Sequence, residues 1–291
     1  MNKSILIFIS TIFINQLVAQ NSQAEQDVRD YDINPIIYNY HLNNISINRD
    51  DYAYEIESEF NIENTFAKSS AYGDLDGDGL NELVIGSRNN IEIRKYDNGD
   101  YNSVWDYEIP STNFTAVVAI GDITGDGNNE IVVAGSNSPM SDHELRLFKY
   151  NSDSTDYELI DSITMSNNVG TGNSLQVVDI DNDGNNEVIV GLYSGGIRIY
   201  EYDSEWVLEN SLSVGSRCSV ESIDLDGDDD EEIIIAYLVS TYNNHVAIYK
   251  YNDSSFVLQY DEQFGTYQNA IETGDIDNDG TNEIIVGRDD A

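Results

Sequence analysis

The sequence predicts an all-β protein built from repeated four-stranded antiparallel units, and three observations predict it. An acidic nine-residue motif occurs five times, a β-rich run follows each copy, and an aromatic signature recurs further along most units. Successive copies begin 48, 57, 45 and 51 positions apart, a spacing typical of repeat architectures. The copies occupy residues 74–82, 122–130, 179–187, 224–232 and 275–283.

The acidic motif is predicted to join the first two strands of each unit. Extended apolar segments, such as residues 116–120 and 175–178, precede most copies, and runs rich in β-branched residues follow all of them. We therefore place the motif in a loop between strands one and two. The second-strand runs are residues 83–87, 131–136, 188–192, 233–238 and 284–287.

Two further strands complete each predicted unit. The third carries the signature apolar-x-apolar-aromatic-x-Tyr-Asp/Asn, in residues 145–151, 197–203 and 246–252, and in 91–97 with Arg94 at the aromatic place. Four antiparallel strands in about 40–50 residues form the blade of a β-propeller. The fourth strands are expected to open on aromatics that pack between blades rather than stack on sugars: Trp105, Tyr157, Trp206 and Phe256.

The fifth unit lacks its outer two strands in the sequence. Residues 35–41 fit the third-strand signature, and residues 52–60 open on aromatics like the fourth strands. We therefore expect five blades, the closing one built from residues 35–60 together with 269–287, because closure removes open sheet edges. The alternative is a fragment of a longer propeller.

The beginning of the chain resembles a secretory signal. Lys3 precedes the apolar residues 5–14, and Leu17, Val18 and Ala19 offer a cleavage site. We expect residues 1–20 to be a signal peptide (an uncleaved anchor is the alternative), 21–34 a linker, and 35–291 the propeller. The mature protein would then be secreted, at the cell surface or periplasmic, with no membrane insertion. Cys218 is the only cysteine, so bound metal is a candidate stabiliser in place of disulfides.

The formal net charge of −41 limits the kinds of partner that the protein can bind. Nucleic acids and anionic membranes need a basic surface, and this composition argues against both. Strong acidity also favours solubility, and we expect a monomer.

The acidic loops have the chemistry of a calcium site. Calcium takes about six to eight oxygens in flexible geometry. Positions 1, 3 and 5 can point inward, position 6 turns the chain with positive φ, position 7 offers its carbonyl, and a carboxylate at position 9 closes the site. An EF-hand is excluded because position 12 lies inside a strand. Simple polar turns are the alternative, but five copies keeping carboxylates at positions 1, 5 and 9 argue against it.

The five loops are not equivalent. Thr124 at position 3 removes a charge from the second loop, so we expect weaker binding there. Asp229 takes position 6 of the fourth loop, where it must adopt positive φ at some cost. The side chains of Asp230 and Glu231 are expected to face solvent, with the Asp230 carbonyl still able to bind.

These loops, strands and spacings resemble the FG-GAP/VCBS repeats, the calcium-loop propeller repeats also found in integrin α-chain heads. The resemblance covers about residues 35–291. The literal Phe-Gly and Gly-Ala-Pro elements are absent, and family propellers usually have seven blades, so a fragment of a seven-bladed ring is the alternative. The resemblance implies Ca²⁺, up to five ions, bound at motif positions 1, 3, 5, 7 and 9: Asp74, Asp76, Asp78, Leu80 and Glu82; Asp122, Thr124, Asp126, Asn128 and Glu130; Asp179, Asp181, Asp183, Asn185 and Glu187; Asp224, Asp226, Asp228, Asp230 and Glu232; Asp275, Asp277, Asp279, Thr281 and Glu283.

The function expected from the sequence is a protein- or glycan-binding adhesion module in which calcium is structural. One alternative is a carbohydrate-active enzyme of lyase or dehydratase type, for which His41, His143 and His245 are the only histidines and no catalytic set is evident. Another is a structural repeat of a larger surface assembly. An acidic column, Glu221 and Glu272 beside Gln176, could form an ion site in the channel, but solvated residues are the simpler interpretation.

Overall fold

The computed structural model describes residues 69–110, 114–136, 143–165, 168–169, 174–240, 243–252, 254–264, 270–276 and 279–287. Within these ranges the regular structure is entirely β, as predicted, in eighteen strands. No helix in this part of the chain is long and apolar enough to cross a membrane.

The strands form four four-stranded antiparallel sheets and one two-stranded sheet, each in simple sequence order, and we call them blades one to five. Blade one holds β1 (Ser69–Gly73), β2 (Glu82–Gly86), β3 (Asn90–Asp97) and β4 (Asp100–Glu108); blade two holds β5 (Thr115–Gly121), β6 (Glu130–Ser136), β7 (His143–Asn151) and β8 (Asp156–Thr164). Blade three holds β9 (Leu175–Val178), β10 (Glu187–Gly191), β11 (Ile197–Tyr202) and β12 (Trp206–Leu212); blade four holds β13 (Ser216–Ile223), β14 (Glu232–Ser240), β15 (Asn243–Tyr251) and β16 (Phe256–Gln263). Blade five holds β17 (Ala270–Gly274) and β18 (Glu283–Gly287).

Every acidic loop lies between the first and second strands of its blade, as predicted. The glutamate at motif position 9 is the first residue of the second strand in all five blades. In blade one the whole of β2 is buried, and its Val84 packs in the hydrophobic cluster shared with blade two. In blades one to four the loop is therefore attached to a strand that is buried over most of its length.

The fourth strand of blade one begins earlier than predicted. It starts at Asp100, directly after the tight turn in which Asn98 and Gly99 have positive φ, and not at Trp105. Tyr101 pairs with Tyr96, as Tyr157 does with Tyr150 in blade two, so Tyr101 is the true equivalent. The proposed aromatic column was wrong at this one position, because the first aromatic residue after the turn is Tyr101 and not Trp105.

A β-bulge interrupts the pairing of strands three and four at the same place in each complete blade. The register shifts by one residue between the two strands, leaving one extra residue on strand four. The extra residues are Val104, Ile160, Glu209 and Gln259.

The core lies between successive blades. The first strands β1, β5, β9, β13 and β17 pack in that order, and a hydrophobic cluster fills each of the four junctions. Tyr157 and Trp206 are buried in two of these clusters, as expected for inter-blade core rather than sugar-stacking platforms. The blades are thus held mainly by nearest-neighbour contacts, as in other repeat proteins.

The predicted ring closure lies outside the described residues, because residues 35–60 belong to the part of the chain that the structure does not describe. Within the described ranges, β1 and β17 do not pack closely on each other. A closing blade built from residues 35–60 and 269–287 therefore stays a prediction.

Candidate metal centres

The carboxylate at motif position 1 organises the backbone of every loop. Asp74 Oδ1 accepts the Gly77 N–H at 2.8 Å, and its Oδ2 accepts the Gly79 N–H at 2.9 Å. The aspartates at position 1 of the other four loops also accept two N–H groups, one from position 6 and one from position 4 in loop four or position 5 in loops two, three and five. The loop can therefore form from its own short-range hydrogen bonds, which is why the motif repeats with so little variation.

Position 6 has positive φ in all five loops, as predicted. Gly79, Gly127, Gly184 and Gly280 have φ between 87° and 97°, and Asp229 has φ 71°. Position 4 is also left-handed wherever it is described, in Gly77, Gly125, Asn182 and Gly227. The sequence analysis missed this second turn, although Gly or Asn at every position 4 was a signal for it.

The glutamate at position 9 connects the end of each loop to its beginning. One of its oxygens, Oε2, accepts the backbone N–H of position 2 at 2.9 Å in all five loops. The glutamates of the first four loops are almost fully buried. Each loop therefore contains a carboxylate that is fixed by the backbone and has its second oxygen left for the interior of the loop.

Four of the five loops bring three carboxylates together. In each of these loops one oxygen from each of three motif positions lies within 4.8 Å of the others. In loop five, Asp277 lies outside the described residues. Position 7 donates its N–H to the position-5 carboxylate in every loop, and its predicted carbonyl contact with a cation stays a prediction. The clusters are Asp74, Asp76 and Asp78; Asp122, Asp126 and Glu130; Asp179, Asp181 and Glu187; and Asp224, Asp226 and Glu232.

A lysine from the third strand enters loop one. The Lys95 ammonium lies 2.6 Å from Asp76 Oδ2, 2.5 Å from Asp78 Oδ2 and 3.2 Å from Glu82 Oε1. The sequence analysis missed this residue. Its signal was the unassigned position between the aromatic residue and the tyrosine in the third-strand signature.

The same arrangement recurs in loops two and four. Lys149 Nζ lies 2.9 Å from Thr124 Oγ1, 2.5 Å from Asp126 Oδ2 and 2.6 Å from Glu130 Oε1. Thr124 also donates to Glu130 Oε1 at 3.0 Å, so the threonine has polar partners without any metal. In loop four, Lys250 Nζ lies 3.0 Å from Asp226 Oδ2, 2.6 Å from Asp228 Oδ2 and 2.9 Å from Glu232 Oε1.

These contacts shift the pKa values of both partners. Partial burial works against the charged form of Lys95, but hydrogen bonds to Asp76, Asp78 and Glu82 raise the pKa of this lysine overall. The hydrogen bond from Lys95 lowers the pKa of Asp78. Lys95 and Asp78 are therefore both charged at neutral pH, whereas burial raises the pKa of Glu82.

Loop three has no such lysine. Glu201 stands at the corresponding place and accepts a hydrogen bond from Asn185 Nδ2 at 3.2 Å. Burial raises the pKa of Glu187 to about 8. The hydrogen bond from the Ile180 N–H works in the opposite direction, whereas the nearby carboxylates of Asp181 and Glu209 contribute to the rise. Among the loops of the four complete blades, loop three is thus the one in which a further carboxylate takes the place of the lysine.

Asparagines at motif position 8 tie neighbouring loops together. Asn129 Nδ2 donates to the Asp74 carbonyl of the preceding blade at 3.0 Å. Asn186 and Asn282 make the same contact to the position-1 carbonyl of the preceding loop at 2.8 and 2.7 Å. Loop four has Glu231 here, which has no N–H to donate; instead Asn182 of loop three hydrogen-bonds Asp230. The Asp230 side chain, expected to face solvent, is exposed but makes this contact with the neighbouring loop.

Replacing Asn186 by alanine is expected to lower the free energy of unfolding by about 1 kcal/mol, since one partly buried inter-blade hydrogen bond is lost. Urea unfolding in saturating calcium measures it. The control is Asn102→Ala, an exposed residue of β4 whose side chain has only long contacts of 3.4 and 3.5 Å, and which is expected to be close to neutral. Equal effects of the two substitutions would contradict the role of the inter-blade bond.

The two described histidines lie in different blades. His143 opens β7, and His245 in β15 contacts Asp261 Oδ1 through Nδ1 at 2.8 Å, with the Tyr237 hydroxyl donating to the same oxygen at 3.0 Å. The structure does not bring the two histidines into one site. In the supposed acidic column, Gln176 Nε2 donates to Glu221 Oε2 at 2.8 Å, a polar contact between adjacent first strands.

The fold and the loops define an all-β repeat protein of propeller blades, each with an acidic loop between its first two strands. A family model described as FG-GAP-like repeat matches residues 74–133, 122–190 and 224–286, each match beginning at the first residue of an acidic loop. These matches together cover more than half of the chain, and the protein belongs to the FG-GAP-like repeat family. No curated protein matches the chain.

Proposed function

We propose that this protein is a secreted or cell-surface calcium-binding β-propeller that acts as a protein- or glycan-binding adhesion module. The observation that carries the proposal is the convergence of three carboxylates in each of four loops. Members of this repeat family typically serve as structural or binding modules. The residues fit calcium, because the donors are all oxygens, and because the buried Glu82 Oε1 and Glu232 Oε1 have only a lysine ammonium, at 3.2 and 2.9 Å, beside them in the described part of the chain.

Calcium would serve the fold rather than a reaction. Each loop connects the first strand, which packs against neighbouring blades, to the buried second strand. A cation bound there would fix the position of this hairpin and remove the repulsion between its carboxylates. The loops at one end of the blades would then present a rigid surface, which is where binding residues are commonly found.

The partner we propose is a protein or a glycan. The net charge of −41 speaks against nucleic acid and anionic membrane. The signal-like residues 1–20 support an extracellular, cell-surface or periplasmic location, and we propose a monomer. A lyase or dehydratase activity draws no support from the described residues, since His143 and His245 belong to different blades.

Removing calcium is expected to lower the melting temperature by at least about 5 °C. Each ion that binds only the folded state at about 100 times its dissociation constant contributes roughly 2.7 kcal/mol, and a chain of this size shifts by about 2–4 °C per kcal/mol. Thermal unfolding with calcium, with a chelator, and after calcium is added back measures the effect. Magnesium is the control, because it takes such flexible oxygen sites less readily.

An unchanged melting temperature in all of these conditions would contradict the calcium-binding function. A glycan array and a protein pull-down, each with calcium and with chelator, then separate the two classes of partner. Binding to neither class under any condition would count against an adhesion role and leave the calcium result standing.

A further inference from the structure

We propose that the third-strand lysines are built-in counter-ions that occupy the cation positions of loops one, two and four. Loop three, where glutamate replaces this lysine, is then the tightest divalent-cation site among these four loops. The inference rests on the proposed calcium-binding function and states how that function is distributed and regulated among the loops.

The lysines stand at one fixed place relative to the loops. Lys95 lies directly opposite Glu82 in the pairing of β3 with β2, and Lys250 lies opposite Glu232 in the pairing of β15 with β14. In blade three Val188 pairs with Tyr200, and the next residues in this antiparallel register are Glu187 and Glu201. The position that carries a cation in the other three complete blades therefore carries an anion in this one.

The lysine ammonium takes the place of a bound cation in its loop. Its three N–H groups are directed at three oxygens of motif positions 3, 5 and 9, the same side chains that the motif assigns to a metal. The use of lysine here is selective, because three of the five lysines in the whole chain occupy these positions: Lys95, Lys149 and Lys250.

Loop three has an acidic cluster with no ammonium group at the lysine place. Glu187 is 1% exposed, and its Oε2 accepts the Ile180 N–H. This carboxylate lies with Asp179 and Asp181, one oxygen of each within 4.8 Å of the others. Burying a carboxylate beside two others is costly, and a cation bound among the three removes that cost.

Two further carboxylates reinforce this site. Glu201 faces the loop from the third strand, and Glu209 is the extra residue of the β-bulge on the fourth strand. The bulge residues of the other complete blades, Val104, Ile160 and Gln259, carry no charge. Blade three thus has an acidic residue both at the lysine place of the third strand and at the bulge of the fourth strand, where the other complete blades have none.

The ligand class follows from these charges. Several carboxylates with no lysine favour a divalent cation over a monovalent one, and oxygen donors alone favour a hard cation such as Ca²⁺. In loops one, two and four the same cation must first displace an ammonium held by three oxygens. Calcium is therefore expected to fill loop three at lower concentration than these loops.

The test is isothermal titration of the full chain with Ca²⁺ after removal of metal by a chelator. Glu201→Lys is expected to weaken or remove the tightest class of site, by at least about tenfold in Kd, by giving loop three its own counter-ion. Lys95→Met is expected to add one site to the tight class, because loop one has the same four carboxylates as loop three at motif positions 1, 3, 5 and 9. Arg198→Met is the control, since it removes a positive charge from blade three that contacts only backbone carbonyls.

The outcomes separate the two proposals. Absence of calcium binding in the wild-type chain and in all variants would overturn the proposed function itself. Calcium binding with the same number of tight sites in Glu201→Lys and Lys95→Met as in the wild type would overturn the counter-ion proposal alone. Lys250→Met provides a second test if Lys95→Met does not fold, with circular dichroism in saturating calcium as the check. A gain in Arg198→Met equal to that in Lys95→Met would show a general charge effect and would also overturn the proposal.

Discussion

Replacing Phe148 by alanine is expected to lower the free energy of unfolding by about 3–5 kcal/mol, the usual cost of deleting a buried phenylalanine side chain. Phe148 is fully buried on β7 of blade two. Its ring makes edge contacts with Trp105 and Tyr107 of blade one, at centroid distances of 5.7 and 5.0 Å. Its loss would leave a cavity at the junction between two blades, which cannot collapse without moving one sheet against the other.

Urea unfolding in saturating calcium measures this effect, because a fixed calcium concentration keeps the binding contribution constant. Leu208→Ala is the control: Leu208 lies on the outer strand of blade three and is 52% exposed, so its truncation is expected to change stability by less than about 0.5 kcal/mol. A loss below about 1 kcal/mol for Phe148→Ala would mean that the junction between blades one and two does not carry the stability assigned to it.

The parts of the structure that the sequence predicted are local. The acidic loop lies where the motif placed it, and Asp229 adopts positive φ as its motif position required. Both features depend on residues within a few positions of one another, so a repeated motif is enough to reveal them. The alternation of β-rich runs and polar turns similarly fixed the order of strands in each blade.

The parts that the sequence did not reveal depend on pairing between strands. Lys95 reaches Asp76 across 19 residues, and Asn129 reaches the Asp74 carbonyl across 55. Neither contact leaves a pattern inside one motif; each becomes visible only when the register of the sheet and the packing of adjacent blades are known. Tyr101 was passed over in favour of Trp105 for a related reason, since the pairing of Tyr101 with Tyr96 is visible only in the register of β3 and β4.

The lysines change the physical picture of the calcium-free protein. From the sequence alone, each acidic loop without metal should suffer repulsion among three or four carboxylates. The structure shows an ammonium among those carboxylates in loops one, two and four. We therefore expect the stability lost on chelation to come mainly from loops that lack a lysine, with the other blades protected by their own charge pairs.

Replacing Gly196 by alanine is expected to lower the free energy of unfolding by about 2–4 kcal/mol, from steric overpacking together with a left-handed backbone. Gly196 has φ +87° in the turn before β11, and a Cβ there would lie 1.8 Å from the Leu212 carbonyl oxygen. Its N–H donates to the Gly215 carbonyl at 3.0 Å, so the turn cannot move away without breaking that bond.

Gly99 offers a control matched in backbone conformation. It has φ +95° in the turn between β3 and β4, and a Cβ there would have no neighbour within 4 Å. Gly99→Ala is therefore expected to cost only the left-handed penalty of about 1–2 kcal/mol. Urea unfolding of both variants in saturating calcium isolates the steric part as their difference. Equal losses would mean that strand β12 yields to the added methyl group, and that the close approach of this turn to Leu212 is not what holds the third blade in shape.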